Sequence, residues 1–214
     1  MAIKVILADD HALVRDGLKA IIEKKGPSIT VIGEATNGND VLKLSQKQPA
    51  DVYLLDISMP ILNGIETTYR LCKKDPNAKV IILSMHDDKK FVEKALHRGA
   101  RGYILKESAT NEIVLAINEV YQGKYYFTPK ISSYLVEGFM KHGHDKPENT
   151  VLSSRERGIV QLLAEGFNNK EIAEKLSLSL HTVHVHRNNI MKKLQIHRHA
   201  DLVKYAIKEG IIQL

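Results

Sequence analysis

The sequence predicts an α/β domain built on an open parallel sheet, followed by a small all-helical domain. Three observations lead there. Within roughly the first 105 residues, five short runs rich in β-branched and other apolar residues alternate with longer stretches whose apolar residues recur at helical spacing. The runs are apolar throughout rather than alternately polar, as in Val80-Ile81-Ile82-Leu83, which suits strands covered on both faces. Past residue 150 the apolar spacing is helical to the end.

Taken in order, the strands are expected at Ile3–Ala8, Ile29–Ala35, Asp51–Leu55, Lys79–Ser84 and Gly102–Leu105. Helical segments lie between and after them, marked by Val14, Leu18 and Ile21 early on and by Ile113, Ile117 and Val120 later. Strictly alternating strands and helices give a parallel sheet with helices on both faces. A further helix is expected at about Pro129–Met140. The stretch HGHDKPENT at 142–150 offers nothing to bury and reads as a linker. The boundaries are therefore residues 1–125 for the α/β domain, 126–150 for a linker with a helix, and 151–214 for the helical domain. In that last domain Ser153-x-x-Glu156 is a capping-box start with Gly166 as its stop. Asn168-x-x-Glu171 opens a second helix, Ser179 caps a third that runs to about Lys193, and a fourth covers about His199–Glu209.

Composition narrows the function. With 43% hydrophobic and 26% charged residues among 214, the chain has an ordinary globular make-up, which argues against disorder. No apolar run approaches the roughly 18–20 residues a membrane span needs. A single cysteine, Cys72, cannot form an internal disulfide, so the expected compartment is the cytoplasm. The net charge of +6 is concentrated late in the chain. Residues 181–214 hold six basic side chains (Arg187, Lys192, Lys193, Arg198, Lys204, Lys208) against two acidic ones (Asp201, Glu209). A local basic excess points to a polyanion partner or to a solvated basic face.

The acidic residues of the first domain fall in a telling place. In open parallel sheets, ligands bind at the carboxyl ends of the strands. Asp9 and Asp10 follow the first strand and Asp56 ends the third. In a flavodoxin-like strand order, 2-1-3-4-5, those two strands are neighbours, so three carboxylates converge. A hard cation such as Mg²⁺ relieves their repulsion. Ser84 and Lys106 at the ends of the fourth and fifth strands add a hydroxyl and an ammonium. Together these groups can form a phosphoryl-transfer site with a carboxylate as nucleophile. Singly, each has a plainer account as a helix cap, a turn residue or a surface lysine. Five gathered at the ends of four strands do not.

The motifs ADDH at 8–11, DISMP at 56–60 followed by Asn63-Gly64, Ser84, and GYILK at 102–106 resemble the receiver domain of two-component response regulators over about residues 1–125. The resemblance implies that Asp56 accepts a phosphoryl group from a sensor kinase histidine. It also implies that Asp10, Asp56 and the backbone carbonyl of Ser58 hold Mg²⁺, with Asp9 assisting, and that Lys106 pairs with a phosphoryl oxygen. Ser84 would then move to the phosphate and draw Tyr103 inward. Ser58 and His86 sit where such receivers tune the lifetime of the aspartyl phosphate.

In the helical domain, Val183, Ile190 and Leu194 form an inward stripe, with His186 beside them. The opposite stripe is His181, His184, Val185, Asn188 and Lys192, a set of donors plus one small apolar residue that suits the DNA major groove. The pattern His181-x-x-His184-x-His186 could also be a metal site, but no cysteine or carboxylate nearby completes it. Residues 152–194 resemble the LuxR-type helix-turn-helix, and the whole chain is similar to NarL/FixJ-type response regulators. That likeness implies a scaffold helix at Lys170–Lys175, a recognition helix at His181–Lys193, and DNA contacts at Thr182, His184, Val185, Arg187, Asn188 and Lys192. It further implies dimerisation on a two-fold DNA repeat once phosphorylated. Members of the family usually carry lysine where this sequence has His184, so a changed base preference is expected, with affinity rising at mildly acidic pH. Leu202, Val203 and Ala206 are candidates for a dimer contact or, equally, for packing within the bundle.

The expected output is a change of state rather than catalysis. The receiver's only reactions would be its own Mg²⁺-dependent phosphotransfer and the loss of that phosphate. An aspartate-nucleophile phosphohydrolase would need a second aspartate two residues on, where Ser58 stands. A receiver-like module that mediates interactions without phosphorylation, fused to a DNA-binding domain, remains the alternative, as does a helical domain that binds protein.

Overall fold

The computed structural model describes residues 2–85, 87–142 and 151–212, without the side chains of 138–142. The chain forms two compact units, one within residues 2–142, leaving out 60–62, and one from residue 151 onward.

The first unit alternates β1 (Ile3–Ala8), α1 (Ala12–Lys25), β2 (Ile29–Ala35), α2 (Gly38–Lys47), β3 (Val52–Asp56), α3 (Gly64–Lys74), β4 (Val80–Ser84), α4 (Lys89–His97), β5 (Gly102–Leu105) and α5 (Lys106–Tyr121). These strands are parallel in the order β2-β1-β3-β4-β5. The apolar runs are explained by their alternation. Val5, Leu7, Leu54, Ile81, Leu83 and Ile104 face α1 and α5, where Leu18, Ile22, Ile113 and Ile117 meet them. Ile6, Leu55, Val80, Ile82 and Tyr103 face the other way, against Val41, Leu71 and Val92 of α2, α3 and α4. Each fully buried Ile, Leu or Val contributes about 1.5–3 kcal/mol through water exclusion, and β3, β4 and β5 are buried along their whole length.

A sixth strand, β6 (Tyr126–Phe127), pairs parallel with β5, and α6 (Pro129–His142) follows it. The helix expected near Pro129 is thus present, and α6 packs on α4 with Ile131 wholly buried in the core layer. The Tyr126 hydroxyl donates to Glu112 of α5 at 2.7 Å. Asp87, just before α4, takes an ion pair from Lys130 and a hydrogen bond from the Tyr134 hydroxyl at 3.2 Å. Residues 126–134 are therefore tied to β5, α5 and the start of α4. The linker expected at 142–150 lies, but for His142, outside the described residues.

The second unit holds α7 (Ser154–Ala164), α8 (Asn169–Leu176), α9 (Leu180–Leu194) and α10 (His199–Lys208). Its caps are those the sequence announces. Glu156 accepts from the Ser153 backbone N–H at 2.8 Å while the Ser153 hydroxyl accepts from the Glu156 N–H at 3.3 Å. Gly166 ends α7 with φ +91°. Ile159, Leu162, Ile172, Val183, Ile190, Leu202 and Ala206 fill the core. Leu202 and Ala206 are thus committed to packing within the protomer, while Val203 of that set is half-buried.

Glu156 is buried, which disfavours its charge, but the Lys193 ammonium at 2.8 Å and the Ser153 donors outweigh burial and hold its carboxyl below the ordinary value. A depressed folded-state pKa gives stability that is full above the unfolded value and lost as pH falls through the folded one. Thermal unfolding of the protein should therefore show this unit weakening through the acidic carboxylate range, with Glu156→Gln flattening that dependence. Ser153→Ala should cost about 1 kcal/mol at neutral pH.

Gly64 stands where α3 starts against the end of β3. A Cβ there would lie 2.1 Å from the backbone oxygen of Asp56, which has no room to move. Gly64→Ala should destabilise the first unit by about 1–3 kcal/mol or more, read from urea unfolding.

Candidate functional site

The site is built by neighbouring strand ends. In the β1–β3 register Ala8 pairs with Leu55, so Asp9 and Asp56 leave adjacent strands side by side. Asp9 is fully buried and Asp56 nearly so. The Lys106 ammonium, delivered by the first residue of α5, lies 2.7 Å from Asp9 Oδ2 and 3.0 Å from Asp56 Oδ1. The Asp9 backbone is held from the other side, where Arg15 donates to its carbonyl at 2.9 Å. Asn63 caps α3 by accepting from the Glu66 N–H at 2.8 Å, and the Gly64 N–H donates to the Ile57 carbonyl at 3.0 Å. The Asn-Gly pair thus pins the loop that follows Asp56.

Burial pushes the Asp56 carboxyl above its ordinary range. Lys106 opposes this, and Asp9 and Asp10 add to it. Burial also works against the charge of Lys106, yet its hydrogen bond to Asp9 and the field of Asp56 outweigh burial and raise it. The two directions agree once the distances are compared. Asp9 holds the closer contact to the ammonium, while Asp56 is left with burial and a neighbouring like charge. Ligating atoms of Asp9, Asp10, His11 and Asp56 all lie within 4.8 Å of one another. Asp56 Oδ2 is buried and has no hydrogen-bond partner among the described residues.

Ser84, at the end of β4, is buried, and its side chain is hydrogen-bonded to that of Tyr103. The Tyr103 ring is 0% exposed, so it already points inward, and burial pushes its phenol well up despite the Ser84 bond. Ser58 is exposed in the loop after β3, and His86 lies outside the described residues. His11 was not singled out by the sequence reading. Its Nδ1 is 2.9 Å from Asp10 Oδ1 and 3.4 Å from Asp9 Oδ1, and its place in ADDH was the available signal.

In the second unit, α9 buries Val183 and Ile190 and half-buries Leu194. His181, His184, Val185, Asn188 and Lys192 are exposed, with Val185 at 43%, while Thr182, His186 and Arg187 are intermediate. The sequence also overlooked Asn169, the first residue of α8. Its amide nitrogen is 3.3 and 3.4 Å from the two ring nitrogens of His184, and its oxygen accepts from Arg187 at 3.3 Å.

A crevice of carboxylates and one lysine on a doubly covered parallel sheet, with a separate helix-turn-helix bundle on the same chain, defines a response regulator with a DNA-binding output. The comparisons agree. Residues 5–118 match the response regulator receiver domain, and residues 150–206 match the LuxR family of bacterial regulatory proteins. The oxygen regulatory protein NreC of Staphylococcus aureus is 37% identical over 216 residues, covering 98% of this chain and 99% of that protein. The RcsB response regulator of Salmonella typhimurium is 28% identical, with a TM-score of 0.59 over 95% of this chain and 97% of that one. RcsB in complex with DNA is 27% identical, with a TM-score of 0.61 over 98% and 99%. The chain belongs to the NarL/FixJ-type response regulators, whose members generally act as transcription factors rather than enzymes. Among the described residues no helix is long and apolar enough to cross a membrane.

The electrostatics of the crevice give a paired prediction. A raised carboxyl pKa means that the charged form is the less comfortable one in the fold, so stability falls as pH rises through that pKa. Asp56→Asn should therefore raise Tm at neutral pH. Lys106→Met leaves two buried carboxylates facing each other and should cost about 3 kcal/mol in chemical denaturation.

Proposed function

We propose that transfer of a phosphoryl group to Asp56 switches this protein, and that the switched state controls dimerisation and promoter binding by the helical domain. The donor is the phosphohistidine of a sensor kinase. The N–P bond breaks with its electron pair going to the imidazole, and an Asp56 carboxylate oxygen forms the new bond to phosphorus. The single observation that carries this reading is the convergence of Asp9, Asp10, Asp56 and Lys106 at adjacent strand ends, with a buried Asp56 oxygen left without a hydrogen bond.

The oxygen-rich donor set fits Mg²⁺, which prefers one or two carboxylates with retained waters and phosphate oxygens. Asp9, Asp10, Asp56 and the Ser58 backbone carbonyl would hold it, and its charge would offset that of the phosphoryl oxygens. Lys106 orients Asp56 and pairs with a phosphoryl oxygen. The Ser84 hydroxyl takes another phosphoryl oxygen, and Tyr103, bonded to Ser84, carries the change into the α4–β5–α5 face. On α9, Thr182, His184, Val185, Arg187, Asn188 and Lys192 contact double-stranded DNA, supported by the exposure of His184, Val185, Asn188 and Lys192 and by the local basic excess. The protein acts in the cytoplasm, as a homodimer on a two-fold repeat. Residues 1–125 serve as receiver, 126–150 as connector and 151–214 as DNA-binding domain.

Intact mass after incubation with a small acyl-phosphate donor tests the switch. One added phosphoryl group that requires both Mg²⁺ and Asp56 is the expected result, with none on Asp56→Asn. No gain under any condition would replace this reading with the phosphorylation-independent interaction module.

A further inference from the structure

The amide of Asn169 meets two residues of α9, its nitrogen lying against the imidazole of His184 and its oxygen accepting from Arg187. The nitrogen lies 3.3 Å from His184 Nδ1 and 3.4 Å from Nε2, and the oxygen accepts from Arg187 at 3.3 Å. Residues 184 and 187 are one turn apart and so share a side of the helix. Asn169 is intermediate in burial, while His184 is exposed at the surface that α9 presents to solvent. The amide is not consumed by helix capping. That task belongs to Asn168, whose side chain accepts from the N–H groups of Lys170 and Glu171 at 2.9 and 3.1 Å, with Glu171 returning the bond to the Asn168 N–H.

We propose that Asn169 is a positioning residue for sequence recognition. From the neighbouring helix it orders His184 and Arg187 as a pair, and so determines which base edges they address, without itself carrying the readout. This rests on the reading that α9 enters the DNA major groove. The physical reason lies in what ordering costs. A free histidine and a long arginine lose rotamer freedom when DNA captures them, and side chains already ordered in the unbound protein lose less. Arg187 has five N–H donors and gives one to Asn169, so the others remain for a phosphate or a guanine edge. The fixed amide also couples the two residues. A reversal of the amide to suit one of them would withdraw the group that suits the other, so their orientations change together.

The test uses the full-length protein after acyl-phosphate treatment and a randomised duplex pool, from which one preferred duplex is selected and paired with a scrambled one. His184→Ala and Arg187→Ala are measured first, and if neither alters affinity or base preference, the groove-binding reading of α9 fails on its own terms. With that reading intact, Asn169→Ala should weaken binding to the preferred duplex about fivefold, the low end of what a lost base contact costs. Binding to the scrambled duplex should stay within about twofold. Base preference should broaden at the positions that His184→Ala and Arg187→Ala affect. In the His184→Ala/Arg187→Ala background, adding Asn169→Ala should change little, because the residues it acts through are gone. An equal loss in that background, or an equal loss on both duplexes, would overturn the proposal in favour of a direct phosphate contact. An unchanged base preference would also overturn it. So would a loss of thermal stability as large as that of Asn168→Ala, which would make the role structural.

Discussion

Two carboxylates placed side by side in the interior of a protein repel each other and resist losing water, and the first unit is organised around tolerating such a pair. Asp9 and Asp56 are neighbours because β1 and β3 are neighbours, and they are buried because helices cover both faces of the sheet. Lys106 makes the arrangement bearable by reaching both within 3.0 Å. Its own position follows from β5 ending there and α5 beginning at once. The glycine at position 64 is there for the same reason, since the turn that follows Asp56 brings α3 against its backbone oxygen. What remains uncomfortable is Asp56, with burial and a second negative charge against it and only part of a lysine in its favour. A buried carboxyl held above its ordinary range by burial and a neighbouring charge, in a crevice, marks a candidate functional group.

The coupling outward from that pair runs through packed side chains. Ser84 closes β4 beside the acidic residues and is bonded to Tyr103, whose ring fills the core layer beneath α4. Any movement of Ser84 must be accommodated by a fully buried aromatic ring, and close-packed interiors respond to such demands in discrete steps. The same region is anchored by α6 through Asp87, Lys130 and Tyr134. The second unit solves a different problem. Three short helices that would be marginal alone are capped at their N-termini by Ser153, Asn168 and Ser179, and share one apolar core. That leaves the exposed side of α9 free of any duty to the fold.

Much of this was legible along the chain. Apolar runs located the first five strands to within a residue, because strands buried on both faces admit little else, and the cap residues marked the helices of the second unit. The acidic residues could be read as one site because strand order brings consecutive strand ends to one edge of the sheet. Other features were not legible. Tyr126–Phe127 is too short to show a period, and only its pairing with β5 makes it a strand. Leu202 and Ala206 fit a dimer contact and a core equally well by spacing, and burial decided for the core.

The sequence by itself determined the two-part architecture, the strand ends that carry Asp9, Asp56, Ser84 and Lys106, and the stripe of α9 that faces solvent. All of these follow from local periodicity and from the rule that sheets collect ligands at one edge. Only the tertiary structure decided how charge is shared within the crevice, that Tyr103 is already buried, and that Asn169 bridges His184 and Arg187 from another helix. These depend on distances between residues far apart in sequence, and interactions at the scale of a hydrogen bond turn on fractions of an ångström that no pattern along the chain encodes.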